Sequence, residues 1–179
     1  MQNTKNKKAV TNNKLLTVHK IVPIVTPVLK NHNKTILGIV HVIVCNLLGV
    51  NPLTVTSLMA YATCTSVYTS VASSAKDTDK IDTTKQVSID GKKLNYVIAK
   101  DAQDCLDGKA SASTLKKFKG SLAKLTGNTG VIADYFAFYC AFNKVSIASA
   151  KTKVAKSAYA KKSAYADTIK TAVSGVKIA

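Results

Sequence analysis

The 179-residue sequence contains no arginine, no glutamate and no tryptophan: all 26 basic residues are lysine and all 9 acidic residues are aspartate. Without arginine the chain lacks the planar fork that grips guanine edges or phosphates through paired hydrogen bonds. Lysine is a point charge, suited to neutralising a phosphate backbone without reading bases. Paired carboxylates for acid-base work would have to come from Asp101, Asp104, Asp107 or Asp134, and each of these suits a helix cap or a surface charge. No HExxH, GxSxG, Walker lysine loop or GxGxxG occurs. The expectation is a protein that is not an enzyme and needs neither cofactor nor metal. Cys45, Cys64, Cys105 and Cys140 are widely spaced with no CxxC, which argues against a zinc or thioredoxin-type centre and for small buried apolar residues, with one or two disulfides as the alternative.

Charge is missing from one long stretch altogether. Thr35 to Ala75 runs forty-one residues without Lys, Arg, Asp or Glu. It divides at Asn51-Pro52, where proline cannot continue a helix and restricts the residue before it. The reading is a buried helical hairpin, covered by other copies of the chain, since a helix that is apolar all round must be enclosed. A membrane hairpin is the competing reading. Its first piece, of about sixteen residues, falls short of the roughly 20 that span hydrocarbon, and the second is rich in Ser and Thr. His41, inside Ile39-Val40-His41-Val42-Ile43, is expected to be a hydrogen-bonded core histidine and not a ligand.

What the chain has in excess is lysine. The net charge of +17 repels itself and calls for a polyanion, nucleic acid first and anionic lipid second. Met1 to Lys14 is polar and carries Lys5, Lys7, Lys8 and Lys14, and it reads as a flexible arm with no signal-peptide pattern. Leu15 to Leu29 has helix-compatible apolar spacing, but Pro23 and Pro27 predict a kinked helix or an extended segment. Asn31-His32-Asn33 is expected to turn. Lys76 to Lys85 reads as a solvated loop. The alternation and Asp-Gly turn of residues 87–98 predict a β-hairpin, and Asp101 to Asp107 a short helix.

Farther on the pattern is helical. Ser111, Ser113 or Thr114 can cap a helix in which Leu115, Phe118, Leu122 and Leu125 share one face and Lys116, Lys117, Lys119 and Lys124 mostly the other, ending at Gly127-Asn128-Thr129-Gly130. Tyr135, Phe136, Phe138, Tyr139 and Phe142 read as core, with a base-stacking platform as the rival. From Lys144 to the end, eight Lys face the single Asp167, and the pentapeptide Lys-Ser-Ala-Tyr-Ala occurs at 156–160 and again at 162–166. Taken as one continuous helix, Lys153, Lys156 and Lys170 fall on one side, while Lys151, Lys161 and Lys162 fall beside the apolar stripe of Ile147, Val154, Ala158, Tyr165 and Ile169. That distribution suits a helix pressed against a polyanion.

The segment Asn51-Pro52-Leu53-Thr54-Val55-Thr56-Ser57-Leu58, together with the charge layout, resembles the capsid proteins of filamentous archaeal viruses, in which an Asn-Pro opens a long helix. The match covers about a tenth of the chain, and the absence of arginine and the hairpin at 87–98 depart from the pattern. The resemblance implies double-stranded DNA held in A-form between helices through phosphate and sugar, dimeric building blocks of one or two related coat proteins, and location in a virion.

The expected fold is therefore mainly α: an arm at 1–14, then a helical bundle at 15–179 containing the uncharged hairpin at 35–75, one small β-hairpin near 87–98, and Lys-rich helices at 111–179. The expected function is a self-assembling coat that packages DNA without sequence preference. Its candidate contacts are Lys5, Lys7, Lys8, Lys14, Lys20, Lys116, Lys117, Lys119, Lys151, Lys153, Lys156, Lys161, Lys162 and Lys170. The alternatives are a small membrane protein with basic flanks and a cellular architectural DNA-binding protein.

Overall fold

A computed structural model describes residues 15–17, 34–62, 64, 80–82, 89–126, 129–163 and 165–176. Its helices are α1 (Lys34–Leu47), α2 (Val55–Ala62), α3 (Ile89–Leu106), α4 (Ala112–Thr126), α5 (Gly130–Phe142), α6 (Ile147–Lys156), α7 (Ala158–Lys162) and α8 (Ala166–Ser174). The chain is mainly helical. One short antiparallel pairing joins β1 (Leu15–Thr17) to β2 (Lys80–Asp82), with Leu16 opposite Ile81. The backbone is thus extended at Leu15–Thr17, and Lys80–Asp82 forms a strand within the expected loop. Residues 1–14, which hold the expected arm, residues 18–33, which hold the turn expected at 31–33, and residues 65–79 lie outside the described residues.

α1 is the axis of the bundle. It is apolar on every side, and α2, α3, α4, α5 and α7 all pack against it. Leu37, Ile39, Val40, Val42, Ile43, Val44 and Leu47 are fully enclosed; each such burial contributes about 1.5–3 kcal/mol before the entropy of ordering is subtracted. The helix stops in a Schellman motif. Gly49 adopts a left-handed φ of 70°, and the Val50 N–H donates to the Cys45 carbonyl at 2.8 Å. The expectation that other copies would bury this helix is corrected here, because the chain's own helices already enclose it.

Asn51-Pro52 then reverses the chain and opens α2. The Asn51 side chain accepts from the Leu53 N–H at 2.9 Å, the Asn51 carbonyl accepts from the Ser57 hydroxyl at 2.8 Å, and the Thr54 hydroxyl bonds with that of Ser57 at 2.9 Å. The Thr54 hydroxyl also accepts from the Ser57 N–H at 3.4 Å, satisfying one of the donors that the first turn of a helix leaves over. The Tyr61 hydroxyl returns to the start of α1, donating to the Lys34 carbonyl at 2.6 Å.

The hairpin expected at residues 87–98 does not form there: residues 89–98 are helical and continue without a break to Leu106. The physical reason is tertiary. Ile98, Ala99, Ala102, Cys105 and Leu106 recur at helical spacing, and all belong to or pack against the core. Small alanines bring α3 close to α1, so close that Ile98 occupies the space a Cβ on Gly38 would need. Between the same two helices, Asn46 Nδ2 donates to Gln103 Oε1 at 2.9 Å. Local β-type alternation and an Asp-Gly pair lose to that packing, and the short helix expected at Asp101–Asp107 is the C-terminal part of α3. A second Schellman motif closes it, with Gly108 at φ 72° and Lys109 N–H donating to the Asp104 carbonyl at 2.8 Å.

α5 carries the aromatic cluster inward. Tyr135, Phe136, Phe138, Tyr139 and Phe142 are all buried, and the Tyr135 and Phe138 rings meet edge-on with centroids 5.7 Å apart. Bases have no access to stack on these rings.

Candidate nucleic-acid interface

The charged surface begins with α4. Ser111 caps it, its hydroxyl accepting from the Thr114 N–H at 3.3 Å. Phe118 and Leu125 are buried toward α1 and α3, while Lys116, Lys117, Lys119 and Lys124 are exposed on the other side. The amphipathic division expected from spacing holds, apart from Leu115, which is exposed at the edge of the apolar stripe. Lys124 was missing from the candidate contacts although the same helical spacing places it among them. The Lys117 ammonium lies 5.7 Å from the Phe118 ring centroid.

The C-terminal lysines are organised differently from the continuous helix the periodicity suggests. Three short helices replace it, and both breaks fall on the serine of the repeated pentapeptide. Ser157 is extended (φ −67°, ψ 124°) and its hydroxyl accepts from the Ala160 N–H; Ser163 is extended (φ −66°, ψ 140°) and accepts from the Tyr165 N–H at 3.1 Å. Serine offers the backbone this local alternative to the helical ladder. Each break resets the rotational phase. Val154, Ala160, Ile169, Ala172, Val173 and Val176 consequently turn inward, while Lys153, Lys156, Lys161, Lys162 and Lys170 are exposed and Lys151 is half-buried. The expected placement of Lys161 and Lys162 beside a buried stripe is corrected by those two breaks, and the lysines do not wrap the helices.

Repeat tyrosines face the core side. The Tyr159 hydroxyl is buried and has no hydrogen-bond partner among the described residues, and burial pushes its pKa up to about 12.

The candidate lysines thus fall into two described groups. Lys116, Lys117 and Lys119 share the outer face of α4, which packs on α1 and α3; Lys151, Lys153, Lys156, Lys161, Lys162 and Lys170 belong to α6–α8, where α6 and α8 pack on α5 and α7 on α1. Lys5, Lys7, Lys8, Lys14 and Lys20 lie outside the described residues. Acidic relief is local: the Lys100 ammonium donates to Asp104 Oδ2 at 3.0 Å, and that carboxylate holds the ammonium pKa above its ordinary value.

The polar groups in the interior serve the fold. His41 is fully buried; its Nε2 lies 2.9 Å from the Pro52 carbonyl and its Nδ1 2.7 Å from the Tyr135 hydroxyl. A carbonyl only accepts, so Nε2 carries the proton and Nδ1 accepts from tyrosine. Its ring stacks on Tyr61 at 5.3 Å. Burial lowers the His41 pKa from 6.5 to about 4, so the imidazole is neutral at physiological pH. All four cysteines are free thiols, and burial raises Cys45 to about 12 and Cys140 to about 11, far from the low values that make a thiol reactive. Among the described residues no group of three His, Cys or acidic side chains converges as a metal site, and no helix is long and apolar enough to cross a membrane.

No protein-family model, curated protein or solved structure matches this chain.

Proposed function

We propose that this protein coats nucleic acid, double-stranded DNA in the first instance, neutralising its phosphates through lysine without reading its sequence. Copies of the chain, alone or with a related coat protein, line the duplex as the shell of a filamentous particle such as a virion. The observation that carries this reading is the separation of charge from core. On α4, α6, α7 and α8 the large apolar side chains other than Leu115 turn into the bundle, while the lysines other than the half-buried Lys151 stand outward with few carboxylates near them. Lysine without arginine supplies sequence-independent phosphate contacts. α1 is enclosed by its own chain, so contact between copies falls to other surfaces, among them the exposed Tyr96 and Val97 on α3.

Fluorescence anisotropy with a labelled duplex tests the binding. With about five phosphates neutralised per copy, affinity falls roughly 500-fold between 50 and 200 mM salt and is insensitive to sequence. No binding at 50 mM salt, or binding indifferent to salt, overturns the proposal. Negative-stain micrographs of protein mixed with duplex are expected to contain regular filaments; discrete particles alone would point to a cellular architectural protein.

A further inference from the structure

Two helical glycines of this chain differ in what surrounds them. At Gly38 the missing side chain is explained within the fold, since Ile98 and the Tyr61 hydroxyl fill the space. Gly120 is exposed in the middle of α4, and no described residue lies within 4 Å of where its Cβ would stand. A glycine inside a helix weakens it, and its lack of a side chain is of use where another backbone comes close. On α4 that position is the centre of the charged face: Lys117 and Lys124 lie to one side of Gly120 and Lys116 and Lys119 to the other, with the exposed Ala123 between them.

We infer that one phosphate strand of the duplex lies along α4 and passes over Gly120, held from both sides by Lys116, Lys117, Lys119 and Lys124. The inference rests on the nucleic-acid reading above and names the surface that carries it. Charge density supports the occupant. Four lysines and no acidic residue fall within the ~12 Å from residue 116 to 124, a local excess of positive charge that a phosphate backbone neutralises. An anionic membrane fits the same face less well. A membrane-surface helix buries its apolar side in the bilayer, and here that side, Phe118 and Leu125, is already buried in the core. The lysine face presents no large apolar side chain to insert, Leu115 lying at its edge with 43% exposure.

The test compares full-length wild type with Gly120→Ala, Gly120→Leu and a Lys116→Gln/Lys117→Gln/Lys119→Gln/Lys124→Gln variant, measuring duplex affinity at several salt concentrations and thermal midpoint for each. Gly120→Leu keeps every charge and improves helix propensity, so its midpoint is expected to be no lower than wild type while its duplex affinity falls at least tenfold. Gly120→Ala is expected to fall between the two. The quadruple variant is expected to lose between three and four units of the log–log salt slope. Wild-type affinity in Gly120→Leu, with the quadruple variant weakened, overturns the close approach at Gly120 and leaves the coating function standing. Absence of duplex binding by the wild type overturns both. Binding to vesicles of one part phosphatidylserine to three of phosphatidylcholine that requires these four lysines, in protein that ignores duplex, assigns the face to a membrane and likewise overturns the inference.

Discussion

α1 and the C-terminal segment from Ile147 to Ser174 solve opposite problems. α1 carries no charge beyond its first residue and is enclosed on all sides, so its polar groups need partners inside the protein: His41 takes Pro52 and Tyr135, and Asn46 takes Gln103. The C-terminal segment is dense in lysine and must keep every ammonium wet while still presenting an apolar side to α5 and α1. It achieves this by stopping and restarting at Ser157 and Ser163, which rotates each short helix to its own best phase. A buried helix is thus made by satisfying polar groups, and a charged one by interrupting the helix.

The enclosure of α1 is most vulnerable at His41. Its pKa in the folded state, about 4, lies below the unfolded value of 6.5. The unfolded chain therefore takes up the proton first, and the contribution is fully present above pH 6.5 and lost as pH falls toward 4. Denaturant midpoints measured across that range should reveal a loss of about 3 kcal/mol attributable to this residue. His41→Leu should abolish that component while being less stable at pH 7, because the Pro52 carbonyl and Tyr135 hydroxyl lose their partner. Next in size is Gly38→Ala, whose methyl collides with Ile98 against a helix that cannot retreat; unfolding in urea should register a cost of about 1–3 kcal/mol. The smallest effect lies in the other region. Ser157→Ala removes the hydroxyl that accepts from Ala160 and should cost about 1 kcal/mol. Far-UV circular dichroism at fixed protein concentration should rise slightly if α6 and α7 then merge, which sharpens the claim that the serine, and not the tertiary packing, makes the break.

How legible these regions were in the sequence follows from the same contrast. The charge-free and mostly apolar texture of residues 36–47, broken only by Gly38, His41 and Asn46, identified α1 as interior, and Pro52 marked its end, because both signals act locally. The wheel of α4 was legible because Phe118 and Leu125 lie on one uninterrupted helix. α3 was misread at residues 87–98: Asp90-Gly91 and the flanking alternation are turn and strand signals, and they are outweighed by a partner, Gly38 on α1, that is distant in sequence. The lysine face of the C-terminal segment was misplaced because helical spacing was carried through Ser157 and Ser163, residues whose cap geometry no periodicity reports. Within the candidate interface, the lysines could be identified by type and their outward direction on α4 by spacing, but their direction on α6–α8 depended on those two serines.

The enclosure of α1 also imposes an order on synthesis. One of the elements that seals it, α7, begins at Ala158, 111 residues after α1 ends at Leu47. At ~5–20 residues per second, a growing chain carries an uncharged, strongly apolar helix for roughly 6–20 s before its cover is made. During that interval the lysines already made, those that precede α1 and those of α4, supply the charge that keeps nascent chains apart while the apolar segment is still open to its neighbours.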